Sequence, residues 1–159
     1  MNTRRSFLEG AGGALLLSFV PWSPAYGAQV VDVRAWPAEE YTRITIEHDA
    51  PMKFKYFVLR NSDPVRLAVD IDGLLLTDKL KQIIQKVKPN DPYISRIRVG
   101  QNRPNVVRIS IDFKTDVDPQ VFSLKPAGQY RYRLVFDIYP ATQKDPLMAI
   151  IQKEESEPD

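Results

Sequence analysis

The chain has 159 residues, 43% hydrophobic and 26% charged, which suits one folded domain with tails. Its 22 basic and 20 acidic residues leave a net charge of +2, too little to draw the molecule to nucleic acid or anionic lipid, so neither is an expected partner. With no cysteine and a single histidine, His48, the sequence excludes disulfides, thiolate metal sites, a cysteine nucleophile and a histidine-rich metal centre, and no cofactor is expected.

Residues 1–27 read as an export signal and not as part of the fold. Arg4 and Arg5 stand just before Phe7 and Leu8, and a short apolar run follows over residues 11–20. That run is too short for a bilayer, whose apolar core of about 30 Å takes about 20 helical residues. Small residues at Ala25 and Gly27 then suit signal cleavage. The arginine pair resembles the twin-arginine type of signal; an ordinary secretory signal is the alternative. Either places the remaining chain in the periplasm, with no stable membrane insertion once the signal is removed. Gly10, Gly12 and Gly13 belong to this segment and form no phosphate loop.

From residue 28 the sequence repeats itself. Residues 42–47 match residues 107–112, and 56–59 match 121–124, both at an offset of 65. Residues 66–71 match 133–138 at an offset of 67, so the second copy carries two extra residues, which the loop over 125–130 with Pro126 and Gly128 can hold. Each block alternates apolar and polar residues with the period of two of a half-buried strand. Residues 31–34 and 94–99 supply a further strand before each set. Turn chemistry separates the strands at Asp49-Ala50-Pro51, Asn61-Ser62-Asp63-Pro64, Asn102-Arg103-Pro104-Asn105 and Asp118-Pro119. One helix is predicted over residues 78–88, with Leu80, Ile83, Ile84 and Val87 on one face and Pro89 ending it. Two four-stranded units, one per repeat, each with one apolar face, bury those faces against each other. The expected fold is all-β: a β-sandwich of two similar sheets with internal pseudo-twofold symmetry and one short helix. Residues 143–159 read as a linker or C-terminal tail, with a short helix through Leu147, Ile150 and Ile151 and an acidic end.

No catalytic constellation emerges. His48, beside Asp49, reads as a surface-loop histidine. Ser110 and Ser123 lie in strands without a histidine partner in view. Four arginines each precede a carboxylate by four residues: Arg43 and Glu47, Arg66 and Asp70, Arg108 and Asp112, Arg133 and Asp137. Such partners share a strand face but stand about 13 Å apart, so they must pair across neighbouring strands. Two readings of these arginines stand side by side. One is a solvated salt-bridge ladder; the other is a grip on the carboxylates of a polymer. The aromatic residues divide likewise between rim packing, favoured for Trp36, and stacking on sugars, with Tyr130 and Tyr132 open to both.

Several stretches resemble the AMIN domain: Val33-Arg34-Ala35-Trp36-Pro37, Tyr41-Thr42-Arg43, residues 66–71, Asp91-Pro92-Tyr93-Ile94, Arg98-Val99-Gly100-Gln101 and residues 133–140. The resemblance extends over roughly residues 30–141 and is nearest to the amino-terminal domain of twin-arginine-exported N-acetylmuramoyl-L-alanine amidases. It implies a domain over residues 28–142 that binds peptidoglycan and directs an amidase to the division septum for daughter-cell separation. The zinc domain that cuts the amide is carried downstream in that family, so this chain is expected to be non-catalytic. The alternative is a protein-interaction module that contacts divisome proteins or a secretin-type envelope complex. The expected peptidoglycan-binding residues are Tyr130, Arg131, Tyr132 and Arg133, joined by Arg108 if the strands neighbour each other. Arg43 and Arg66 form a second, weaker site in the first half.

Overall fold

The computed structural model describes residues 27–141. The export signal, apart from Gly27, and the tail with its expected short helix lie outside the described residues. The described residues form eight strands: β1 (Val30–Pro37), β2 (Thr42–His48), β3 (Lys53–Leu59), β4 (Arg66–Asp72), β5 (Ile94–Arg103), β6 (Val106–Phe113), β7 (Val117–Leu124) and β8 (Tyr132–Pro140). They form two antiparallel sheets, a first in the order β1-β2-β8-β7 and a second in the order β3-β4-β6-β5. Exchanging β1 to β4 with β5 to β8 converts one order into the other, which is the topological form of the predicted twofold.

One expectation is corrected. The repeats do not each build their own sheet; every sheet takes one hairpin from each repeat. The joins run across the duplication, β2 against β8 with Ile44 opposite Phe136, and β4 against β6 with Val69 opposite Ile109. Turn residues signal a reversal but not whether it stays in one sheet. The segment through Asp49, Ala50 and Pro51 carries the chain from the first sheet to the second, so β2 and β3 never pair.

The four inner strands supply the core. Ile44, Ile46, Leu134, Phe136 and Ile138 face Leu67, Val69, Ile71, Val107, Ile109 and Ile111 across the sandwich, all essentially sealed from water. Burial of each such side chain stabilises the fold by about 1.5–3 kcal/mol. The period-two spacing accounts for the choice of face, since every second residue on these strands is an apolar, mostly β-branched one.

The helical segment closes one open side of the sandwich. It comes in two turns, α1 (Asp78–Lys81) and α2 (Ile83–Lys86), hinged at Gln82. Thr77 caps the start by accepting the Leu80 N–H at 3.3 Å. Leu80 and Ile83 are buried and pack toward β1 and β5. The helix stops two residues short of the predicted end. Val87 is already extended, and Lys88 is turned from the helical region by the ring of Pro89. Ile84 is therefore left 46% exposed.

Asp91 ties the two sheets together. Its Oδ1 accepts the N–H groups of Tyr93 at 2.9 Å and Ile94 at 2.8 Å, and its Oδ2 accepts the Thr42 hydroxyl at 2.7 Å. Tyr93 donates its hydroxyl to the Glu39 carbonyl at 2.6 Å. The Asp91-Pro92-Tyr93 stretch thus has a structural task, since these bonds satisfy polar groups buried where β5 meets β2.

Candidate functional site

The outward face of the first sheet carries a group of rings and cations. On β1, residues of the opposite parity to Val33 and Ala35 point out, which exposes Trp36 and leaves Arg34 half-buried on the same side. On β2 and β8 the same parity turns Arg43, Glu47, Arg133 and Asp137 to this side, the two carboxylates buried beneath the arginines. Arg43 and Asp137 stand directly opposite and form a two-pronged ion pair, Nε and Nη2 each 2.7 Å from a carboxylate oxygen. That pairing raises the Arg43 pKa. Tyr41 lies against Arg43 and, at 5.3 Å, against Tyr139.

The second sheet repeats this chemistry on its own outward face. Arg108 grips Asp70 at 2.6 and 2.8 Å, at the position the twofold assigns to Arg43 and Asp137. The Arg108 hydrogen bond holds the Asp70 carboxyl below the usual carboxylate range. Arg66 pairs with Asp112, and Arg98 approaches the same carboxylate at 3.3 Å. Burial pushes Asp112 up, but the hydrogen bond and charge of Arg66, with those of Arg98, outweigh it and leave it below its ordinary value.

Three of the four cross-strand pairs demanded by the repeat are therefore made, and the fourth is not. The twofold matches Arg66 and Asp112 with Arg133 and Glu47, which stand opposite each other on β8 and β2. Glu47 instead accepts the Arg34 guanidinium at 3.2 Å and the Arg131 backbone N–H at 3.0 Å. Among the described residues, Arg131 and Arg133 have no carboxylate partner; Arg133 reaches only the Lys125 carbonyl at 3.4 Å, and its Nε has no partner.

The cause is the loop that holds the two extra residues of the second copy. Ala127 and Tyr130 exchange backbone hydrogen bonds of 3.0 Å each way, and Gly128 takes the left-handed φ of 57° that the tight reversal needs. This turn lays the Tyr130 ring over the sheet, 5.1 Å from the Arg133 guanidinium and 5.4 Å from that of Arg34. Arg34 also lies 5.7 Å from the Trp36 ring, which is 54% exposed. Two open rings thus bracket a set of guanidiniums, one of them short of a partner.

The predicted site residues are regrouped by this architecture. Tyr130, Arg131, Arg133 and Arg43 gather at the first sheet's outward side. Arg108 and Arg66 lie on the second sheet, so Arg108 does not join Arg133, and Arg43 and Arg66 are parted because the repeats exchange hairpins. Tyr132 turns inward, stacked at 5.8 Å on His48. His48 is not a loop residue, as the sequence suggested; it is the last residue of β2, only 2% exposed, with Nδ1 2.7 Å from the Ala50 carbonyl. Burial depresses its pKa. Trp36, expected to pack at the rim, is exposed, and the half-buried Arg34 lies beside it. Their parity against Val33 and Ala35 was the signal that marked them. Among the described residues, no group of three or more His, Asp or Glu side chains is placed to hold a metal.

The architecture is that of a duplicated all-β sandwich, two four-stranded antiparallel sheets each built from both repeats. The chain belongs to the AMIN domain family, whose pattern it matches over residues 32–138. It is 42% identical over 153 residues to the N-acetylmuramoyl-L-alanine amidase AmiC of Escherichia coli O6:H1, covering 94% of this chain and 36% of that protein. It is 40% identical over 159 residues to the AmiC amidase of Neisseria meningitidis serogroup B, covering 94% of this chain and 37% of that protein. The chain thus spans little more than a third of the length of these relatives.

Proposed function

We propose that residues 28–142 form a non-catalytic peptidoglycan-binding module that holds an N-acetylmuramoyl-L-alanine amidase on the cell wall. In this reading residues 1–27 export the protein to the periplasm through the twin-arginine route. Residues 143–159 connect the module onward, and wall binding enriches the protein at the division septum for daughter-cell separation. One observation carries the binding reading: Trp36 and Tyr130 stand open beside Arg34 and Arg133 on a single face, with Arg133 lacking a carboxylate partner among the described residues. Pyranose rings stack on exposed aromatic faces, and stem-peptide carboxylates accept paired hydrogen bonds from guanidinium groups. A sheet face is flat and rigid, which suits a long polymer better than a pocket would.

Sedimentation with protein-free sacculi tests the reading. The unaltered chain co-sediments, and retention declines as salt is added, because exposed charge pairs are screened within about 10 Å at 0.1 M. Trp36→Ala, and Arg131→Ala combined with Arg133→Ala, lower retention while circular dichroism and melting stay close to the parent's. A parent chain that stays in the supernatant refutes peptidoglycan binding and leaves recognition of a divisome or secretin-type protein as the function to test. Parent-like retention of the variants removes this face alone.

A further inference from the structure

We propose that the groove between α2 and β5 is a docking place for the chain's own segment that follows Ala141. The groove encloses about 510 Å³ on the side of the sandwich closed by the helix. Its apolar lining includes Ile84, Val87 and Ile97, with Ile84 left half open by the early end of the helix. Its polar lining is basic: Lys88, Arg96 and Arg98. Of these only Arg98 is paired, at 3.3 Å from Asp112; Lys88 and Arg96 have no carboxylate partner among the described residues. β5 is an edge strand, so the backbone groups on its outer side have no neighbour in the sheet. Basic, apolar and hydrogen-bonding surfaces thus meet along one strand edge.

The segment over residues 142–159 is complementary in each respect. Leu147, Met148, Ile150 and Ile151 form its apolar part, and Glu154, Glu155, Glu157 and Asp159 follow as its acidic end. Its position also suits the groove. Ile138 of β8 stands opposite Thr42, and the Thr42 hydroxyl bonds to Asp91 at 2.7 Å, three residues before β5 begins. The chain therefore leaves β8 near the mouth of the groove. A stretch of six to ten residues spans up to about 20–33 Å, enough to bring Leu147 to Ile151 alongside Ile84 and Ile97. Tethering makes even a weak contact effective, since the local concentration of a short tethered segment is on the order of millimolar. Docking there sets the direction in which the polypeptide leaves the domain. It does not depend on what the first sheet binds.

The absence of cysteine allows a direct test on the full chain. Ser156→Cys receives a nitroxide label, and amide signals are compared before and after its reduction. The expected result is selective loss of the Ile84, Val87, Arg96, Ile97 and Arg98 signals, unchanged on dilution. Lys88→Glu combined with Arg96→Glu restores the Ile84, Val87, Ile97 and Arg98 signals while signals away from the groove keep their positions. Broadening that disappears on dilution assigns the groove to a second copy and overturns the proposal. So does broadening spread over the whole surface, or none at all.

Discussion

The unequal fates of two outward arginines give the most searching test of this structure. Arg108 is committed to Asp70, a carboxylate only 3% exposed, while Arg133, though opposite Glu47, forms no ion pair among the described residues. Truncating one partner of a fully buried pair costs about 3–5 kcal/mol, because the other charge stays behind unpaired. Arg108 is 35% open to solvent, so water reaches the vacated site, and the cost falls to about 1.5–2.5 kcal/mol, in line with a charged hydrogen bond. For a domain of this size each kcal/mol shifts the melting temperature by about 4 °C, so Arg108→Ala lowers it by about 6–10 °C. Arg133→Ala forfeits mainly its contact with the Tyr130 ring, about 0.5–1 kcal/mol, or about 2–4 °C. Thermal melts followed by circular dichroism compare the two variants in one buffer. Asp70→Ala added to Arg108→Ala recovers part of the loss, since the stranded charge is gone. If Arg133→Ala destabilises as much as Arg108→Ala, Arg133 is a structural residue and is not a cation held free for a ligand.

Three other outcomes are expected. Ile46→Asp or Ile111→Asp unfolds the domain, because each side chain is wholly buried and an unpaired charge there costs several kcal/mol; loss of the cooperative melt is the readout. Stability falls with acidity in two stages, measurable by urea titration across pH. Burial depresses the pKa of His48, so its contribution is complete above the unfolded value of about 6.5 and declines as pH drops below it. The pKa values of Asp70 and Asp112 are likewise depressed, so their ion pairs contribute fully above about 4 and are lost as pH falls further. A stability curve flat from pH 7 to 5 would contradict the burial of His48. Replacing Arg4 and Arg5 with lysine leaves precursor in the cytoplasm, visible on fractionation, because the twin-arginine receptor reads the residue pair; normal export of that variant would assign the signal to the general secretory route.

The alternation of single residues determined much of this protein before any coordinates. Ile44 and Ile46, Leu67 and Val69, Ile109 and Ile111, and Leu134 and Phe136 all lie inward as their period predicts, because a strand sends successive side chains to opposite faces whatever its neighbours. The spacing of each arginine from its carboxylate likewise required pairing between strands, and Arg43 with Asp137, Arg66 with Asp112 and Arg108 with Asp70 meet that requirement. Only the tertiary structure decided which strands adjoin. Hydrogen bonding along a strand edge is the same for any partner, so the sequence could not tell that β2 takes β8 and β4 takes β6. That choice sent Arg108 and Arg133 to opposite sheets and set Tyr132, already turned inward by its parity, against His48. It also left Arg133 unpaired, since a loop of two extra residues brings the Arg131 backbone to Glu47. Trp36 shows the same division: its parity marks the face it points to, but exposure depends on whether another element covers that face, and none does among the described residues.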